Sequence, residues 1–290
     1  MKPEFILPRP SRQVVQRLGF GLLTLITLLT ILPIFLLVGY IIAQGTPAIS
    51  LDFLTGFPEK GMRAGGILPA IVGTLYLTLG TAIFSVPLGI GAAIYLSEYA
   101  PENRWTRMIR LAIINLAGIP SVVYGLFGLG LFVLFLKFGT SILAGSMTLA
   151  IMTLPVIIST AEEALQAVPQ SFRVVSITLG ATRWQTIWRI VLPQSLAGIL
   201  TGIILGLERA AGETAPILFT AAAFYLPRLP HSPLDSTMAL PYHLFVISTQ
   251  VPGMPIHIQY GTALVLLVFI LGMNLIATVI RSRARARRQW

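Results

Sequence analysis

No cysteine occurs in the 290 residues, so neither a disulfide framework nor a thiolate metal site is available. Charge is nearly as scarce: 10% of residues are Asp, Glu, Lys or Arg, against 55% that are hydrophobic, and the mean hydropathy is +0.84. Soluble globular domains carry roughly 25% charged residues, so that class is excluded and lipid becomes the bulk solvent for most of the chain. A G-x-x-x-x-G-K-[ST] phosphate loop is also missing, which removes ATP hydrolysis by this chain alone. No His-Glu zinc pair and no nucleophile elbow occurs, which argues against an intramembrane hydrolase. No cofactor is implied.

What is present is a series of long apolar runs. A hydrocarbon core of about 30 Å needs about 20 helical residues, and six segments meet or approach that: 18–43, 69–96, 111–136, 141–161, 191–215 and 260–280. The runs are continuously apolar, whereas strands of a membrane barrel alternate with period two, so helices are expected. The expected fold is an all-α integral membrane protein with six transmembrane helices in one domain, 18–280, between an N-terminal tail, 1–17, and a basic tail, 281–290. The first run is too long for the apolar stretch of about 7 to 15 residues in a signal peptide and reads as an uncleaved span.

The net charge of +10 sits beside the apolar runs, where it reports topology rather than nucleic-acid binding. With both termini cytoplasmic, that side holds Lys2, Arg9, Arg12 and Arg17, then Arg104, Arg107 and Arg110, then Arg173, Arg183 and Arg189, and finally Arg281, Arg283, Arg285, Arg287 and Arg288. The other side holds only Lys60, Arg63, Lys137 and Arg228, and Arg209 falls inside a span. This asymmetry sets both termini inside a cell membrane. The terminal Arg run reads as an anchor at an anionic leaflet.

Seven prolines interrupt the outer segment 216–259, so it cannot be one helix; its apolar stretches either lie at the interface or re-enter the protein. His231, His243 and His257 all fall there, at a spacing that suits no common metal site, and read as solvated loop residues. Pro33, Pro87 and Pro155 fall inside spans and suggest kinks.

The inner segment 162–192 is more than a connector. Pro169 stands where a short helix begins and Gly180 where it stops, and a second short helix from Arg183 runs toward Pro193. Phe172, Val175, Leu179, Trp184 and Ile187 are interleaved with cations, which describes a docking knob. In the fifth span, Gly198, Gly202 and Gly206 make a stripe of small residues on which another helix can approach closely. The stripe leads onto Arg209 and Glu213, four apart and able to pair, with Glu208 beside them. Charges within a span cost at least about 2.5 to 3.5 kcal/mol each on insertion scales, so these must pair or face water. A guanidinium there suits the oxygens of a tetrahedral oxyanion, while a purely structural ion pair is the alternative. Ser121 and Tyr124, beside Pro120, either contact a passing anion or bond across helices.

The string from Gly180 through Ala181, Arg183 and Trp184 to Ile190-Val191-Leu192-Pro193 resembles the second half of the "EAA" loop of ABC-importer permeases, in which this loop forms the coupling helix that fits a cleft on the ATP-binding subunit. Where that family usually has Glu-Ala-Ala, this chain has Val174-Val175-Ser176, which removes the Glu but not the helix, β-branching costing only a few tenths of a kcal/mol per residue. The run RAAGETAPILFTA from Arg209, with TLYLTLGTAIFSVPLGIGAAIYLSEYA from Thr74 and LAGIPSVVYGLFGLG from Leu116, is similar to phosphate permeases of the PstA type. The resemblance implies a type I importer permease fold, a dimer of ATP-binding cassette subunits, a companion PstC-type permease and an extracytoplasmic phosphate-binding protein. It also implies that Arg209, Glu213 and, less directly, Glu208 belong to a phosphate path, and that the chain works in a bacterial inner membrane. Competing expectations are a permease for another oxyanion, the companion subunit itself, a secondary anion transporter and a membrane scaffold.

Overall fold

A computed structural model describes residues 10–286, and the side chains of 14–283. Of the tail cations, Lys2, Arg9, Arg287 and Arg288 lie outside the described residues, as do the side chains of Arg12 and Arg285. Helix α1 (Pro10–Gly45) leads into a 3-10 turn, a short helix α2 (Leu51–Thr55) and a two-residue antiparallel ribbon of β1 (Pro58–Glu59) with β2 (Ala64–Gly65). Then come α3 (Leu68–Ile94), α4 (Arg104–Ala117), α5 (Ser121–Gly128) and α6 (Ile142–Gln166). The second half holds α7 (Gln170–Thr178), α8 (Arg183–Thr186), α9 (Leu192–Gly212), α10 (Ala215–Thr220), α11 (Leu240–Thr249) and α12 (Ile256–Ala286).

Among the described residues, five helical stretches are long and apolar enough to cross a membrane: Val14–Ala48, Leu68–Tyr99, Ile142–Gln166, Arg183–Gly212 and Ile256–Arg283. The sixth crossing differs from the expected straight span over 111–136. It is a broken pair, Arg104–Ala117 and Ser121–Phe135, bent by 101°. Pro120 cannot donate a helical N–H and forces its predecessor out of the α region, and Gly118 weakens the turn before it. The Leu116 carbonyl, which accepts from the Ile119 N–H at 3.1 Å, also accepts a hydrogen bond from the Tyr124 hydroxyl at 2.8 Å, which holds the bend.

The centre of the bundle is α6, packed between α3 and α9. Its register follows from small residues on both neighbours. Gly89 of α3 and Gly206 of α9 both face Ile157, which is fully buried, and a Cβ at Gly89 would come within 2.6 Å of it. On α3 the buried hydroxyls of Thr74, Thr78 and Thr81 donate to carbonyls four residues back at 2.8, 2.8 and 2.7 Å and are satisfied within their own helix, whereas the buried Ser85 Oγ has no hydrogen-bond partner. α1 packs on α12, where Tyr40 and Tyr260 meet edge to face at 5.3 Å, and is otherwise exposed over much of its apolar surface. Such a surface suits lipid.

At the end away from the α7–α8 hairpin, the proline-rich segment folds back into the bundle. Leu240, Val246 and Ile247 of α11 are fully buried, and the Leu240 N–H donates to Thr74 Oγ1 at 2.8 Å. The loop before α11 supplies the Pro233 and Asp235 carbonyls to the free N–H groups of Leu143 and Ile142 at the start of α6. This outcome corrects the reading of all three histidines as solvated. His231 and His257 are exposed, whereas His243 is only 2% exposed on α11, and burial pushes its imidazole pKa down to about 4. A Pro-broken apolar stretch had no periodicity that would say which way it turned.

Candidate functional site: a docking hairpin and a charged helix break

The hairpin is specified by its own punctuation. Pro169 precedes the first turn of α7, and α7 stops because Gly180 takes φ +88°, a conformation that costs most residues a Cβ clash. The Gly180 N–H donates to the Ile177 carbonyl at 3.0 Å and the Ala181 N–H to the Ser176 carbonyl at 3.2 Å, closing the helix end. α8 starts with a capping box: Thr182 Oγ1 accepts from the Gln185 N–H at 3.2 Å, and Gln185 Oε1 accepts from the Thr182 N–H at 2.9 Å. A π-helical turn, Ile187–Val191, then joins α8 to α9, so the second arm of the hairpin and the fifth span are one 30-residue helix.

The outer surface of this hairpin is apolar and uncovered. Leu179 is 83% exposed, and Val174, Val175, Ile177, Trp184 and Trp188 are also exposed. Phe172, Val175, Leu179 and Ala181 border a groove of about 400 Å³ between the arms, while Trp184 lies against Trp188 at 5.3 Å. Arg183 points elsewhere, into a polar cavity of about 350 Å³ with Glu98, Gln166 and Arg173. A cluster of large apolar side chains outside the lipid-facing helices marks a protein contact.

The inner side of the hairpin is tied down by charges that sequence reasoning did not single out as a site. Arg173 donates to Glu98 Oε1 and Oε2 at 2.6 and 3.1 Å, and to the carbonyls of Leu165 and Val168 at 2.9 and 2.7 Å. A second clasp has Arg110 donating to Glu162 Oε1 at 2.7 Å and to the Leu96 carbonyl at 2.9 Å. Both acids belong to a chain with only 10 of them and end apolar helices on the hairpin side, which was the available signal.

The charged run on α9 sits at a helix break rather than inside a continuous span to 215. α9 ends at Gly212, Glu213 is extended (φ −78°, ψ 135°), and α10 starts afresh before Pro216. The missing N–H of Pro216 lets the chain leave the helix there at little cost. Arg209 Nε and Glu213 Oε1 are 3.4 Å apart, with side chains 36% and 19% exposed. Oε1 of Glu208 is buried with no hydrogen-bond partner. Tyr124 lies close enough to Arg209 to interact with it electrostatically, though its hydroxyl is committed to Leu116; Ser121 opens α5. Gly198, Gly202 and Gly206 face Ala164, Thr160 and Ile157 of α6. Among the described residues no group of three or more His, Cys, Asp or Glu side chains is placed to hold a metal.

A protein-family model described as "Binding-protein-dependent transport system inner membrane component" matches residues 85–287. The chain is 34% identical over 267 residues to a "probable phosphate transport system permease protein PstA" of Methanocaldococcus jannaschii, covering 90% of this chain and 92% of that protein. It is 32% identical over 281 residues to a "probable ABC transporter permease protein YqgI" of Bacillus subtilis, covering 92% and 95%. Among solved structures, a bacterial alginate ABC transporter in complex with a periplasmic protein aligns with TM-score 0.70 at 17% identity over 95% of this chain and 98% of that one. The inward-facing MetNI methionine ABC transporter aligns with TM-score 0.62 at 15% identity, covering 75% and 95%. At such identities the two structures speak for the fold alone.

Proposed function

Because this chain belongs to the family of binding-protein-dependent transport inner membrane components, the permease subunits of ABC importers, we propose that it is one of the two permeases of an importer for inorganic phosphate. It would form half of the translocation path and couple it to a separate ATPase dimer docked on the hairpin 162–192. The companion permease supplies the other half, and an extracytoplasmic binding protein delivers phosphate. Both termini and the hairpin face the cytoplasm, in keeping with the distribution of Lys and Arg.

The observation that carries this reading is the self-capped hairpin, apolar on its outer face and continuous through α8 with the fifth span. A push on such a knob tilts α9, at whose far end Arg209 and Glu213 stand at the helix break. Arg209 offers a planar donor fork to the phosphate oxygens. The carboxylate of Glu213 keeps the site from holding the anion too tightly. Alternation of access then follows from ATP-driven closure of the partner subunits, with this chain contributing binding and geometry rather than bond chemistry.

Phosphate in place of another oxyanion is supported by the printed names of several relatives at about a third identity, the Methanocaldococcus protein among them. The test is uptake of labelled phosphate into proteoliposomes that hold the coexpressed assembly with its binding protein inside out or right side out, with and without ATP. ATP-dependent uptake competed by phosphate and not by sulfate or molybdate is expected. Uptake driven by an ion gradient with no ATP would replace the importer reading with a secondary transporter.

A further inference from the structure

Three elements meet at one guanidinium. Arg173 stands on α7, and through its bonds to Glu98 and to the Leu165 and Val168 carbonyls it reaches the π-helical turn Tyr95–Tyr99 at the end of α3 and the C-terminal end of α6. The pair is largely buried at the edge of the polar cavity, with side chains 12% and 9% exposed, whereas Arg209 and Glu213 at the helix break are 36% and 19% exposed. A water-screened pair opens readily, but a buried one cannot part without leaving an uncompensated charge. The same turn is held from its other side, since Arg110 of α4 takes the Leu96 carbonyl while gripping Glu162 of α6.

We propose that Arg173 and Glu98 are a positioning pair that makes α3 and α6 move with the hairpin. α9 follows the hairpin by covalent continuity, whereas α6 is joined to it only through the three non-helical residues 167–169, which can turn. α3 has no such continuity. Glu98 lies 75 residues before Arg173, and α7 has little backbone packing against the 95–99 turn, so the side-chain clasp is the tie between them. The outer face of the hairpin is free to take load while its inner face is sewn to two spans. Without the clasp, a push on α7 would be absorbed by rotation about residues 167–169. With it, the push displaces the hairpin ends of α3 and α6 as one body. This proposal rests on the reading of the hairpin as the site where an ATPase docks.

The experiment uses the coexpressed assembly in proteoliposomes and measures phosphate transported per ATP hydrolysed, alongside copurification of the ATPase subunit. Arg173→Met should lower the ratio by about tenfold or more, with the ATPase still bound and still hydrolysing ATP. Should that variant fail to accumulate, Glu98→Gln, which keeps the shape and loses the charge, carries the same expectation. A Glu98→Cys, Arg173→Cys double variant should show the low ratio when reduced and return toward the wild-type ratio once the two thiols are bridged by a short bis-thiol reagent. A merely structural role would not give that rescue. An unchanged ratio in the charge variants, a bridged double variant that stays uncoupled, or loss of the ATPase from the complex would each overturn the proposal. A wild-type assembly whose ATPase ignores the phosphate-loaded binding protein would instead overturn the functional reading beneath it.

Discussion

Ser176 Oγ and Thr186 Oγ1 lie 2.9 Å apart and share a hydrogen bond across the two arms of the hairpin. Ser176 is the last residue of the stretch where the importer family usually has Glu-Ala-Ala, and here its hydroxyl fastens α7 to α8 in a buried position. Thr186 also donates to the Thr182 carbonyl at 3.1 Å, so its own polarity survives the loss of Ser176. Ser176→Ala should therefore cost no more than about 1 kcal/mol and leave uptake nearly intact. Ser176→Leu should force the arms apart and lower uptake sharply. Uptake and thermal unfolding of the two purified variants check this.

Gly180 has open space where a Cβ would go, so only its φ of +88° opposes a side chain. Gly180→Asp should cost about 1 to 2 kcal/mol locally and still insert into the membrane at normal levels. Because the new carboxylate sits at the tip of an apolar docking knob, ATP-dependent uptake should be abolished and ATPase activity uncoupled from it. Immunoblots of membranes together with phosphate uptake decide the matter, and undiminished uptake would refute a docking role for the tip.

Arg209→Gln removes the charge-assisted donor at the helix break. If that donor meets the translocated anion, uptake at matched protein levels should fall roughly ten- to a hundredfold, the range for losing a hydrogen bond to a charged group of about 1.5 to 3 kcal/mol. Glu213→Gln should have a smaller effect, since the guanidinium remains. Equal uptake by wild type and Arg209→Gln would leave the pair a structural role only.

Gly202 faces Thr160 so closely that a Cβ would clash with its Oγ1. Gly202→Val should separate α9 from α6 and destabilise the subunit by about 1 to 3 kcal/mol, as overpacked sites do. Gly202→Ala should be milder, and Thr160→Ala placed in the same chain should recover part of its loss. Thermal unfolding midpoints in detergent report the difference.

His243 gives the fold a pH dependence of known sign. Its folded-state pKa of about 4 lies below the ordinary value of 6.5, so the unfolded chain binds more protons between those values. Stability from this residue is fully present above pH 6.5 and is lost as pH falls toward 4, by on the order of 3 kcal/mol at about 1.36 kcal/mol per unit. His243→Phe should flatten the dependence of the unfolding midpoint between pH 7 and pH 5. A wild-type midpoint constant over that interval would contradict the buried neutral imidazole.

The hairpin shows how much could be read without coordinates. Pro169 and Gly180 are local signals: each acts through the backbone of its own few residues, so helix and stop were legible in order, while the capping box of Thr182 and Gln185 that restarts the chain emerged with the structure. The break in the third crossing was less so, although Gly118 and Pro120 stood in plain view, because hydropathy averages across a bend. Continuity of apolar character says that residues prefer lipid or core, not that they lie on one axis. The pairing in the two clasps was missed for a different reason. Arg173 and Arg110 carried weight as topology cations, and nothing in their neighbourhoods named Glu98 or Glu162 as partners.

Composition and spacing alone determined that this is a helical membrane protein, where its apolar runs lie, and that a short helix, a glycine stop and a second helix follow the fourth. Those properties depend on transfer of side chains to lipid and on φ/ψ limits at Gly and Pro, which act residue by residue. Tertiary structure alone decided that α11 turns inward and buries His243, that α9 stops at Gly212, and that one guanidinium joins three elements. These outcomes depend on which distant groups compete for the same buried donors and acceptors, a competition settled only when the chain has packed.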